Sequence, residues 1–146
     1  MIVSNLEEDH VLYPNLISTL IIAVAGAIGT LLRYWVGLAM LRWSQSLPWG
    51  TIMINATGSF AIAFFGVLTT TTGRFPISDT GRMAFMIGIC GGYTTFSSFS
   101  LQTLELLRSG APVRAALNVV ISIALGMIAV TAGYLAAQAI NRTQSF

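Results

Sequence analysis

Charge is scarce in this sequence. Of its 146 residues only 8% are charged, none is lysine and 55% are hydrophobic, and the mean hydropathy is +0.78. A water-soluble globule of that composition would lack the polar residues to cover its surface, so the chain reads as a membrane protein. The basic residues are seven arginines and the formal net charge is +2. Scattered arginines do not make the basic stripe that follows a phosphate backbone, and no nucleic-acid partner is expected. Cysteine is limited to Cys90 and histidine to His10, which excludes an intrachain disulfide and leaves no metal-ligand spacing. The basic start of a signal peptide is missing too: Met1 to Asn15 carries Glu7, Glu8 and Asp9 but no arginine. Residues 1–15 therefore read as a polar tail, with His10 solvated in it.

What the sequence has instead is long stretches without charge. They run from Val11 to Leu32, Trp43 to Gly73, Met83 to Leu104 and Ala115 to Asn141, each at least the roughly 20 residues that a spanning helix needs. The expected fold is all-α: four transmembrane helices in one domain, residues 16–140, with residues 141–146 as a second short tail. Pro14 suits the first turn of the first helix, and Pro48, Pro76 and Pro112 are expected in the three connections. Tyr13, Trp43 and Trp49 lie near span ends, where amphipathic rings favour the headgroup zone. Glycines recur within the spans, at Gly26 and Gly29, Gly58 and Gly66, and Gly126 and Gly133, as close helix contact in lipid requires.

Four spans put both termini and the second connection on one side, with Arg74, Arg82 and Arg142. The other side holds Arg42, Arg108 and Arg114, and Arg33 near the end of the first span. Orientation is ordinarily set by an arginine and lysine excess on the cytoplasmic side. With the excess nearly cancelled, dual topology is expected: the chain inserts both ways up, and two copies pair about a two-fold axis in the membrane plane.

Two segments carry chemistry. The third span contains Gly91-Gly92-Tyr93-Thr94-Thr95-Phe96-Ser97-Ser98-Phe99-Ser100, a poor helix centre: glycine costs close to 1 kcal/mol relative to alanine, and serine and threonine compete for backbone hydrogen bonds. A break is expected here, since unpaired carbonyls at membrane depth are tolerated where they are buried in protein, line water or coordinate an ion. A continuous helix whose hydroxyls bond back to the preceding turn is the alternative. Asn55, in the middle of the second span, offers two N–H donors and an acceptor, for an interhelical bond or for a passing anion. Phe96 and Phe99 share nearly one helix face, and their ring edges carry partial positive charge.

Together, Gly50-Thr51-Ile52-Met53-Ile54-Asn55-Ala56-Thr57-Gly58, the run Gly91 to Ser100, and Gly29-x-x-x-Arg33-Tyr34 resemble the Fluc (CrcB) fluoride channels, bacterial inner-membrane proteins of four helices. The resemblance implies an antiparallel dual-topology homodimer in the plasma membrane that lets fluoride leave passively and relieves its toxicity. It assigns Asn55, Phe96 and Phe99 to the fluoride pathway, together with the hydroxyls of Thr95, Ser98 and Ser122, the polar Asn118, and Arg33 at the vestibule. It also implies a structural sodium ion at the dimer centre, held by the backbone carbonyls of Gly91 and Thr94. One residue departs from the pattern: Gln102 stands where the family often has glutamate. No catalytic set assembles, so the chain is not expected to be an enzyme. A small multidrug exporter would need an intramembrane carboxylate, and the one acidic residue near a span is Glu105; a structural subunit would use Asn55 and the hydroxyls only as glue.

Overall fold

The structure, a computed structural model, describes residues 16–142. The expected polar tail with His10, Tyr13 and Pro14 lies outside the described residues, as do residues 143–146. Among the described residues every element is helical: α1 (Leu16–Ala39), α2 (Trp49–Leu68), α3 (Asp79–Met83), a π-helical stretch (Ala84–Cys90), α4 (Gly91–Tyr93), α5 (Phe96–Arg108) and α6 (Pro112–Arg142). Three of these, α1, α2 and α6, are each long and apolar enough to cross a membrane by length and composition. The third charge-free interval is carried by shorter pieces in series, α3 through α5.

Large apolar side chains point mainly outward. Leu16, Leu20, Val24 and Trp35 on α1 and Val120, Ile123 and Met127 on α6 are all more than half exposed. A soluble protein rarely tolerates so much apolar surface, whereas hydrocarbon makes it the favoured arrangement. Ile52 and Asn118 are the largest side chains with almost no exposure. The helices are held together instead by close backbone approach. α2 packs along α6, while α1 packs against the π-helical stretch and α4. A Cβ on Gly133 of α6 would collide with the Phe60 carbonyl of α2, and one on Gly29 of α1 with the Ile89 carbonyl. Without a hydrophobic drive between helices in lipid, that intimacy and the dispersion it brings are the main attraction available.

The connections explain how the pieces are held. Arg82, counted from sequence as a charge of the second connection, reaches back to the end of α2 and donates to the Gly66 carbonyl at 2.9 Å and to Thr69 Oγ1 at 2.7 Å. A cation at a helix C-terminus meets the negative end of its dipole. Asn141, near the end of α6, accepts from the Arg74 N–H at 2.9 Å and so ties α6 to the same connection. Pro112 corrects one expectation. It is the first residue of α6 rather than part of the loop, where its fixed φ suits the helix and its missing N–H has no intrahelical use. Gly110 (φ 77°) closes α5 in a left-handed conformation that a side chain would resist.

Candidate functional site

The hydroxyl-rich run is where the backbone leaves the helical pattern. Thr94 (φ −77°, ψ 158°) and Thr95 (φ −152°, ψ 110°) are extended between α4 and α5. The hydrogen bonds that a continuous helix would make there are taken over by side chains. Thr95 N–H, which helical geometry would aim at the Gly91 carbonyl, donates instead to Asn55 Oδ1 at 2.8 Å. Asn55 Nδ2 in turn donates to the Thr95 carbonyl at 3.1 Å. Ser98 N–H, whose helical acceptor would be the Thr94 carbonyl, donates to Thr95 Oγ1 at 3.2 Å. Thr95 is thus the N-cap of α5, and its hydroxyl donates onward to Ser98 Oγ at 3.0 Å.

Gly91 and Thr94 are therefore the two residues whose carbonyls lose their helical donors to side chains. Neutral carbonyl oxygens freed in this way at a helix interruption are the donor type that holds a sodium ion in broken membrane helices. They suit a hard monovalent cation, and no group of three or more His, Cys, Asp or Glu side chains exists among the described residues to hold a softer or more highly charged metal. Close packing fixes the interruption in place. A Cβ on Gly58 of α2 would strike Thr94 Cγ2, and Tyr93 Oη meets Thr57 Oγ1 at 2.9 Å.

Two cavities meet this segment. The larger, about 840 Å³, lies at the end of the molecule that carries the first and third connections. It is bordered by Arg33 of α1, Thr51 near the start of α2, and Thr95, Ser98, Gln102 and Glu105. The smaller, about 300 Å³, is bordered by Asn55, Gly91, Thr94, Thr95 and Phe96. Thr95 borders both. The larger cavity is also met by the start of α2, where Gly50 N–H is capped by Ser44 Oγ at 3.1 Å; helix N-termini of this kind favour anions. Gln102 contributes a buried Oε1 with no hydrogen-bond partner. A half-turn of the amide, which exchanges oxygen for NH₂, would offer the cavity a donor instead.

The sequence-predicted residues thus fall into three groups. Arg33, Thr95 and Ser98 border the larger cavity, and Asn55, Phe96, Gly91 and Thr94 the smaller. Phe96 is 80% exposed, with its ring 5.6 Å from that of half-buried Phe99. The third group joins α5 to α6: Ser122 Oγ donates to Asn118 Oδ1 at 3.4 Å, Asn118 Nδ2 to Thr103 Oγ1 at 2.8 Å, and Thr103 Oγ1 to the Phe99 carbonyl at 2.8 Å. Phe99, Asn118 and Ser122 border neither cavity. Thr103 was not singled out from sequence. Its signal is spacing, one turn beyond Phe99 on a helix whose neighbour carries a buried asparagine.

Membrane-length helices packed around a hydroxyl-lined interruption, with two cavities meeting at one threonine, define a helical membrane protein with a candidate polar pathway. The family model described as "CrcB-like protein, Camphor Resistance (CrcB)" matches residues 20–134, and the chain belongs to that family. Among curated relatives it is 56% identical over 118 residues to the fluoride-specific ion channel FluC of Methylobacterium radiotolerans, covering 81% of this chain and 82% of that protein. It is 54% identical over 123 residues to the protein of the same name in Gluconobacter oxydans, covering 84% and 85%. With that of Methylocella silvestris it shares 47% identity over 122 residues, covering 83% and 93%.

Proposed function

We propose that this chain is a fluoride-selective channel, not an enzyme, through which fluoride leaves the cell passively across the plasma membrane and so relieves its toxicity. Kinship carries the reading: proteins named as fluoride-specific ion channels match this chain over four-fifths of its length. The geometry supports it. Stripping water from a small anion costs tens of kcal/mol on the Born scale, so a pathway must replace hydration with several donors. Each donor must also be weak enough to release the ion. Neutral groups at the interruption meet both demands. The Asn55 amide has a second N–H beyond the one given to Thr95, the Thr95 and Ser98 hydroxyls can reorient, and the edges of Phe96 and Phe99 are positive. Arg33 and the start of α2 make the larger cavity attractive to an anion, and the Gln102 amide adds a neutral polar group to its lining. Asn118 and Ser122 extend the polar track along the α5–α6 contact.

The proposed assembly is an antiparallel dual-topology homodimer of four-span subunits embedded in lipid, the third span being α3 through α5 with its break at Thr94 and Thr95. The nearly balanced arginine map and the outward apolar faces support it. The Gly91 and Thr94 carbonyls of both copies are the proposed ligands of a shared sodium ion. When bound, that ion would supply fixed positive charge at the dimer centre. The direct test is loss of fluoride from liposomes holding the purified protein, with chloride as control. Fluoride loss without matching chloride loss supports the reading; folded protein that passes neither ion refutes it. A C-terminal reporter accessible from both sides of the membrane supports dual insertion, and labelling from one side alone rules it out.

A further inference from the structure

The larger cavity holds one charge of each sign. Among the residues bordering it, Arg33 from α1 is the basic one and Glu105 from α5 the acidic one. Neither is in an ion pair with a described residue, so both act on whatever enters. Arg42 after α1, Arg108 at the end of α5 and Arg114 at the start of α6 lie at the same end of the molecule but do not border the cavity. Glu105 is exposed and lies three residues beyond Gln102 along α5, farther from the Thr95 and Ser98 hydroxyls in sequence than Gln102 is.

We propose that Glu105 limits anion flux: its carboxylate offsets the field of Arg33, lowers the fluoride concentration in the cavity and so sets the rate at which the pathway fills. A cleft with low-dielectric walls focuses the field of the charges at its mouth, and one carboxylate there depletes anions by a few-fold at low ionic strength. The inference rests on fluoride passing through this cavity. It assigns a role to the one carboxylate in the cavity that no donor engages.

The test measures fluoride flux through wild type, Glu105→Gln and Glu105→Asp in liposomes, at low ionic strength and again with about 1 M impermeant salt. The expected result is a flux about threefold above wild type for Glu105→Gln at low ionic strength, convergence of the two at high salt, where screening is nearly complete, and wild-type behaviour for Glu105→Asp. Equal flux of Glu105→Gln and wild type at low ionic strength overturns the proposal, as does an increase that salt leaves unchanged. A wild-type protein that passes no fluoride defeats the channel reading itself, and the proposal with it.

Discussion

The side chain of Asn55 and the backbone of Thr95 bond to each other in both directions, Thr95 N–H to Oδ1 at 2.8 Å and Nδ2 to the Thr95 carbonyl at 3.1 Å. One amide from α2 thereby satisfies a donor and an acceptor that the interruption would otherwise leave open. Such groups, buried without partners, cost about 1–3 kcal/mol each.

Asn55→Asp keeps the acceptor for Thr95 N–H but sets a carboxylate oxygen against the Thr95 carbonyl. It is expected to lower stability by about 1–3 kcal/mol and fluoride flux by roughly tenfold or more, because the variant loses a donor and gains a negative charge in the path. Thermal unfolding in detergent and liposome efflux measure the two effects separately. Wild-type values in both would mean that the paired bonds are idle.

Thr95 can be tested by what its hydroxyl does. Thr95→Ser keeps the N-cap of α5 and is expected to unfold near the wild-type temperature. Thr95→Val keeps the shape and loses the oxygen, at about 1 kcal/mol. If the two variants are equally stable, the cap contributes nothing.

Phe96 separates conduction from folding. With its ring 80% exposed, Phe96→Ile should change stability by less than about 0.5 kcal/mol, while removing the positive ring edge from the smaller cavity. The expected outcome is a folded protein with clearly reduced fluoride flux. A folded variant with full flux would take Phe96 out of the pathway.

Much of the fold could be read from sequence because charge is so scarce. α1, α2 and α6 fall where charge-free intervals predict helices, and the hydroxyl-rich run contains the extended residues Thr94 and Thr95. Other features depend on which residues meet in space. That Asn55 is largely spent on the Thr95 backbone follows from α2 lying beside residues 40 positions away. Thr103 gains meaning only from Asn118 on the next helix. Arg82 looks like an ordinary span-end charge until its guanidinium is seen on the Gly66 carbonyl. Pro112 is as compatible with a helix start as with a loop, and only the short turn at Gly110 decides between them.

The glycines offer a stability test independent of conduction. Gly133→Ala would push a methyl into the Phe60 carbonyl, whereas Gly37→Ala meets nothing within 4 Å. The first is expected to cost about 1–3 kcal/mol by forcing α2 and α6 apart. The second should stabilise slightly or leave stability unchanged, since alanine is the better helix former. Unfolding of the two variants side by side in detergent checks the contrast. Equal stabilities would mean that the α2–α6 contact yields easily.

The π-helical stretch Ala84–Cys90 is where the chain leading to the interruption takes wider turns than an α-helix. Wider turns of this kind accommodate an extra residue relative to an α-helical path, and each residue of an α-helix turns the chain by about 100°. Removing one residue between Ala84 and Cys90 would let the stretch tighten into ordinary helix with Thr94 and Thr95 still facing Asn55, whereas the same deletion in a regular α-helix would swing the residues beyond it by about 100°. The segment therefore has a tolerance in length that an ordinary helix lacks: one residue can be lost there without displacing the polar interruption.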